Sequence, residues 1–443
     1  MSLAKPDVLV VGAGVAGFAA ALSARRAGAT VEVLSAHAGA TSLSGGAWDV
    51  CSDLYASTDE IIRPLRTIAE EVETLVYEDP HHPYARLDAK ATAVIDAAHA
   101  LVLAALNIYR PLDLNSRGVL VATDLGLLRR TATAQEAVLD LASVGAPDTT
   151  AVLSLRGDRN TDARFLSASW TELMSIAKQS RNFAPLHIDF FNRKDDALLH
   201  PHEIAAIGDS EDGGARIAEL IANAVRSEKF GSVVMPPLLG YKRDDVRARM
   251  EKVVGRPLGE WVQPLAGPQG LRLARRIDEV LAAEGCVRVE HEVKRVEPRT
   301  NGTLVHLVNG TTKQAGAVVL CTGKHLGGGL AMRGGELVES LSALPVYLDG
   351  RLQSLGSSAD GRDPFLFFGN DPFAGGPGFR AGVGYDSTMR ARDRRGEVAA
   401  PDLFVAGALL DGVEPSRDGT GLGCCATTGF VAGRNAATQA GRG

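Results

Sequence analysis

The apolar run Val8-Leu-Val-Val11 ends abruptly in Gly12-Ala-Gly14-Val15-Ala16-Gly17, and small apolar residues then continue from Ala19 to Ala24. Gly28 breaks that run, and a second short run, Val31-Glu-Val-Leu34, follows it. A short unbroken apolar run bounded by turn residues is the pattern of a buried strand, so the segment predicts strand, helix and strand in a βαβ unit. The pattern restarts near residue 150. Ala151–Leu155 reads as a strand, 163–178 as a helix, 186–191 as a strand and 217–225 as a helix. Ser232 to Met235, running into two prolines, reads as one more buried strand. Strands alternating with helices predict a small parallel α/β domain. Beyond residue 264 the pattern predicts a helix over 270–283, strands over 287–296 and 303–308, and a buried strand over 317–323 that ends in Thr-Gly. A short strand over 402–407 and a terminal helix over 424–438 follow.

The glycines of the first turn have separate mechanical tasks. Gly12 permits the tight turn, Gly14 lets the main chain approach a pyrophosphate, and Gly17 lets helix and strand pack closely. Val15 and Ala16 then supply N–H groups at the positive end of the helix dipole, where a phosphate binds. An acid normally closes the second strand and takes the adenosine ribose hydroxyls. Ser35 stands there instead, and Glu32 lies inside the strand. The phosphate end of the site is therefore well specified and the adenosine end is not.

With 443 residues there is room for two or three domains and a large core. Hydrophobic residues at 45% and charged residues at 23% are the ordinary globular balance. A formal net charge of −6 excludes a general nucleic-acid binder. Five cysteines without regular pairing fit a reducing compartment. Their spacing to histidines matches neither zinc nor iron–sulfur sites, so no metal is expected. No apolar stretch reaches the roughly 18 residues of a membrane-spanning helix, and a cytoplasmic location is expected.

Three segments carry a resemblance. They are the N-terminal glycine turn, the apolar strand ending Cys321-Thr322-Gly323, and the strand to Gly407 followed by Gly421-Leu422-Gly423 and a helix. Together they resemble the flavoproteins of the fumarate-reductase type. Further matching residues are Ser44-Gly45-Gly46 through Asp49, His82-Pro83-Tyr84, Pro236 to Gly240 and Gly327 to Leu330. On these the chain is similar to the B-subunit family of anaerobic glycerol-3-phosphate dehydrogenases, with least correspondence over 125–230. The resemblance implies a Rossmann-like FAD/NAD(P)-binding α/β domain, discontinuous in sequence: 1–115 and 263–443, with an inserted α/β domain at 116–262.

It also implies a flavin held by Gly12, Gly14, Val15, Ala16, Gly17, Ser35, Ser44, Gly45, Gly46, Thr322, Gly323, Gly407, Gly421, Leu422 and Gly423. FMN follows from the resemblance and suits Ser35; FAD follows from the complete pyrophosphate turn. Expected partners are a catalytic FAD subunit and an iron–sulfur membrane subunit, which would place the chain at the inner face of the cell membrane. Electrons from sn-glycerol 3-phosphate would pass towards quinone. A stand-alone FAD dehydrogenase and a non-catalytic assembly subunit are the alternatives.

A helix N-terminus at Gly421–Gly423 would stabilise negative charge on a reduced flavin without reorganising. His82 and His325 are weak candidates for proton transfer. The segment His81–Tyr84 between prolines predicts a surface turn, and Lys324-His325 a solvated loop. Cys424 and Cys425 read as small helix residues near the cofactor. Arg390, Arg392, Arg394 and Arg395 read as a solvated basic run.

Overall fold

Val8–Val11 (β1) is the central strand of a five-stranded parallel sheet, fully buried as its unbroken apolar run predicts. The computed structural model describes residues 5–36, 39–52, 57–144, 149–158, 161–190, 199–226, 230–263, 267–299, 302–353 and 376–442. They form two compact units. The first is built from Met1–Thr41, Ala69–Ala105 and Ile277–Gly443, the second from Ser42–Ile68 and Leu106–Arg276.

In the first unit β1 lies between Val31–Leu34 (β2) and Ala317–Leu320 (β4). Val287–Val289 (β3) adds outside β2, and Leu403–Val405 (β5) outside β4. The order is therefore β3-β2-β1-β4-β5. Parallel sheets are covered on both faces, which is why β1, β2 and β4 carry almost no outward polar alternation. Helix α1 (Val15–Arg26) follows β1 and packs on helix α2 (Gly421–Gln439). Their backbones approach so closely that a Cβ on Gly429 would overlap the carbonyl of Ala16, and one on Gly433 that of Ala20. Small residues on both helices make that approach possible.

The expected strand over 287–296 is two strands. β3 joins the parallel sheet, and Val293–Glu297 pairs antiparallel with Leu304–Leu307, which pairs in turn with Thr312–Gln314. The chain turns between them, where the His291 N–H donates to the Val289 carbonyl at 2.9 Å.

The second unit contains a four-stranded parallel sheet. Its order is Leu258–Glu260, Phe230–Met235, Thr149–Leu155 and Phe183–Ile188. The helices Ala163–Ile176 and Glu211–Arg226 accompany it, as strand–helix alternation in this stretch predicts. Asp162 caps the first of them, accepting from the Arg164 and Phe165 N–H groups at 3.0 Å each. Segments 42–68 and 106–115 also belong to this unit, beyond the inserted domain expected over 116–262. Its interior holds a buried ion pair. Arg272 Nη2 lies 3.0 Å from Glu260 Oε1, and Gln135 and Gln269 complete the network.

Candidate functional site

The site of the first unit starts from three glycines. Gly12 has φ +107°, a left-handed value that suits glycine, and a Cβ there would overlap the Cys321 carbonyl oxygen. A Cβ at Gly17 would overlap the Gly12 carbonyl, and one at Gly14 would sit 3.0 Å from Thr41 Oγ1. Backbone overlap therefore requires glycine at 12 and 17, while at Gly14 the Thr41 side chain would have to give way. The first-turn N–H groups of a helix have no intrahelical acceptor. At α1 the Val15 N–H is taken by Thr41 Oγ1 at 3.1 Å, and no acid occupies the first turn. Apart from the Val15 N–H, the helix start keeps its positive end uncompensated by any acid of the first turn.

Beside this turn is a cavity of about 810 Å³, within the range of roughly 300–1,000 Å³ usual for cofactor and ligand pockets. Its wall takes in Val11 to Ala16, Leu34 to Ala36, Cys321 to Gly328 and Ser340-Leu341. It therefore lies along the carboxyl ends of β2, β1 and β4, where ligands bind in open α/β sheets. Thr322 is oriented from behind, its hydroxyl donating to Glu339 Oε1 at 3.4 Å. Glu339 is fully buried, and burial raises its carboxyl above the usual range although Ser342 and Leu341 donate to it. Gly323 adopts φ +74°, and the loop closes where the Gly329 N–H donates to the Lys324 carbonyl at 2.8 Å.

Lys324 departs from the expected solvated loop. It is buried, and its Nζ donates to the carbonyls of Val413 at 2.7 Å and Phe379 at 2.9 Å. Burial pushes the ammonium down to about 7, against the opposing pull of Asp411, Glu414 and Asp418. Two committed donors leave one position on the nitrogen. It is an N–H in the ammonium and a lone pair in the amine, so this group can exchange a proton near neutral pH. His325 is the exposed neighbour at the cavity rim, with Nε2 3.1 Å from the Gly378 carbonyl.

The expected surface turn at His81–Tyr84 is also an interior feature. His82 is fully buried and Tyr84 nearly so. The Tyr84 N–H donates to His82 Nδ1 at 3.2 Å, which uses the lone pair of the neutral ring. Its Nε2 lies 3.9 Å from Asp418 Oδ2. Burial pushes the ring down to about 3, outweighing Asp79. His82 is therefore a neutral interior histidine whose acceptor nitrogen is already engaged. Arg380 holds Asp349 through Nε at 2.6 Å and Asp79 through Nη2, and Arg86 pairs with Asp411 at 3.2 Å. This ion cluster extends outward from the Lys324 wall.

The cavity brings together Gly12, Gly14, Val15, Ala16, Ser35, Thr322 and Gly323. Gly17 stands behind it as the helix–strand contact. Gly407, with φ +78°, packs on Ala16 between two cavity residues, Ala406 and Ala408. Gly421, Leu422 and Gly423 form the start of α2, whose Cys425 reaches the wall. Ser44, Gly45 and Gly46 belong to the second unit, where Gly45 and Gly46 pack against Gln263 and Gln269. Cys321 is buried and Cys425 half-buried at the wall; desolvation pushes Cys425 up to about 11 and raises Cys321 further. Neither is primed as a nucleophile. Arg390 and Arg394 of the basic run are engaged, with Asp386 at 2.9 Å and Glu336 at 2.5 Å.

Residues that the sequence did not single out also line the cavity: Thr41, His291, Glu292, Phe379 and Glu414. These five reach the wall from loops and from the short helical turns Ala40–Leu43 and Pro377–Arg380, with no fixed spacing to the glycine turn. Lys324 and His325, by contrast, carried a local signal, standing directly after the Thr-Gly strand end.

The chain matches the FAD binding domain family over residues 7–423. It is 22% identical over 437 residues to the B-subunit of anaerobic glycerol-3-phosphate dehydrogenase from Pectobacterium carotovorum subsp. carotovorum (strain PC1), covering 94% of this chain and 95% of that protein. To the B-subunit of the same enzyme from Yersinia enterocolitica serotype O:8 / biotype 1B (strain NCTC 13174 / 8081) it is 24% identical over 453 residues, covering 97% of each. Among solved structures, the open conformation of a flavocytochrome c3 fumarate reductase aligns with 99% of this chain and 79% of its own. The TM-score there is 0.43, at 12% identity.

Proposed function

The chain belongs to the FAD-binding domain family, and from that premise we propose that it serves as the flavoprotein subunit of a complex oxidising sn-glycerol 3-phosphate. It is a flavin-dependent oxidoreductase whose cofactor is FAD. The observation that carries the proposal is the joint wall of the Gly12–Ala16 turn and Thr322-Gly323 around one cavity in one unit. The correspondence with the B-subunit relatives over nearly the whole chain supports the substrate class and the expectation of companion subunits. No described helix is long and apolar enough to cross a membrane. Contact with a quinone-reducing membrane component would run through those companions.

The residues fit the cofactor. A diphosphate needs close backbone approach and open N–H groups, and the three glycines and the α1 start supply both. When bound, FAD supplies a two-electron acceptor that can release its electrons one at a time. Gly14 and Ala16 would meet the diphosphate at the start of α1, with Gly12 shaping the turn; the Val15 N–H, expected to be open, is held by Thr41. Thr322 and Gly323, fixed by Glu339, would support the cofactor from below. Lys324 holds a proton at Nζ beside that wall and can give or take it near neutral pH. The apolar side chains of Val11, Leu34 and Leu341 keep water from the interior face.

The test is anaerobic mixing of the purified chain with sn-glycerol 3-phosphate, alone and with its companion subunits, while flavin absorbance is followed. The proposal expects bleaching only in the assembled complex. Bleaching of the isolated chain would identify a self-sufficient dehydrogenase. An assembled complex that turns over while this flavin stays oxidised would identify an assembly subunit.

A further inference from the structure

The FAD reading leaves one chemical gap, the missing acid at the end of β2, and the inference here rests on that reading. Beyond Leu34 the chain continues into Ser35 and Ala36, both at the cavity wall. The acid inside β2, Glu32, is buried and tied to Lys313 Nζ at 2.5 Å, so it is not available to a ribose. A different segment faces the same end of the cavity. β3 runs parallel to β2 with Val289 opposite Leu34, and the Ser35 N–H donates to the Val289 carbonyl at 3.3 Å. Parallel strands lie about 4.8 Å apart, so the residues leaving β3 emerge beside those leaving β2. His291, Glu292 and Val293 join Ser35 and Ala36 in the cavity wall.

Glu292 is held in place by its backbone and is exposed at its side chain. Its carbonyl accepts from the Val308 N–H at 2.9 Å, and the next residue, Val293, is paired with Leu307. The preceding turn is closed by the His291-to-Val289 hydrogen bond. A carboxylate on a fixed backbone in the cavity wall, on the segment leaving the strand paired with β2, has the chemistry for a vicinal diol. Its two oxygens accept two O–H groups in charge-assisted hydrogen bonds.

We propose that Glu292 replaces the missing β2 acid, accepting hydrogen bonds from the adenosine ribose hydroxyls, so that this chain selects FAD over FMN from the strand beside β2. The ligand class is an adenine dinucleotide with a free ribose diol. Ser35 then needs no charge of its own, because the acid has moved one strand outward.

The experiment removes the flavin and titrates the apo-protein with FAD and, separately, with FMN, reading quenching of flavin fluorescence. Wild type is compared with Glu292→Gln and Glu292→Asp. Loss of a hydrogen bond to a charged group weakens binding by about ten- to a hundred-fold. The expected result is that loss for FAD in Glu292→Gln, with FMN affinity unchanged and partial recovery in Glu292→Asp. Unchanged FMN affinity also shows that the variant is folded. Glu292→Gln that keeps wild-type preference for FAD overturns the proposal alone. Wild-type apo-protein that binds neither flavin overturns the FAD reading, and the proposal falls with it.

Discussion

Lys324 donates a 2.7 Å hydrogen bond from Nζ to the main-chain carbonyl of Val413, inside the wall of the cofactor cavity. That geometry places an ionisable amine where desolvation works against its charge. Its stability consequence has a definite sign. Burial pushes the folded group down to about 7 from an ordinary 10.5. Between those values the unfolded chain holds a proton that the folded chain has released, so stability rises with pH across that window. Lys324→Met removes the group. The apo-variant is expected to be more stable than wild type near pH 6 by a few kcal/mol, with the difference shrinking towards pH 10. Thermal unfolding of both proteins at a series of pH values checks this.

His82 acts with the same sign in a more acidic window. Its ring is held near 3 by burial against an ordinary 6.5. The unfolded chain therefore gains a proton before the folded one does, and stability is lost as pH falls from 6.5 towards 3. His82→Asn keeps an acceptor for the Tyr84 N–H and removes the titration. The variant is expected to lose stability less steeply below pH 6.5, by up to about 1 kcal/mol per pH unit. Urea unfolding at pH 7 and pH 5 is the measurement.

Backbone-to-backbone contact between α1 and α2 makes a third prediction. Gly433→Val places a branched side chain against the Ala20 carbonyl, where even a Cβ overlaps. The helices must separate or the chain must bend, at a cost of about 3 kcal/mol or more. Denaturant titration is expected to show a lower midpoint, and flavin retention is expected to fall because α1 carries the phosphate turn.

The second unit contributes a prediction independent of any cofactor. Arg272 and Glu260 are both buried and paired at 3.0 Å. Removing either partner alone strands a charge and costs about 3–5 kcal/mol, whereas replacing both by apolar residues costs much less than the sum. Glu260→Met, Arg272→Met and the double variant, compared by chemical denaturation, measure that coupling.

Local sequence patterns reveal much of this protein. The Gly12–Gly17 turn is legible because its glycine spacing sits between a strand and a helix in one βαβ unit, although Gly12 and Gly14 meet Cys321 and Thr41 from farther along the chain. The buried strands at 8–11 and 317–320 are legible because parallel strands need unbroken apolar runs, and 31–34 because its place after Gly28 marks it despite Glu32. The division of 287–296 is hidden: Val-Arg-Val-Glu-His-Glu-Val keeps an alternating pattern through the turn, and only pairing with β2 and with Leu304–Leu307 separates the halves. The burial of Lys324 and His82 is hidden too. A lysine beside glycines and a histidine between prolines look like loop residues until Val413, Phe379 and Asp418 close over them. Thr41 and Glu292 meet the cavity through tertiary placement alone, so no spacing rule finds them.

Central to the proposed function is a dinucleotide lying along the Gly12 turn and the Thr322-Gly323 strand end. The most direct measurement is to denature the purified chain, release its cofactor and determine the mass of what comes off. The predicted result is FAD in near one-to-one ratio with the chain. Release of FMN, or of no flavin from protein that also fails to take up FAD on reconstitution, would contradict it.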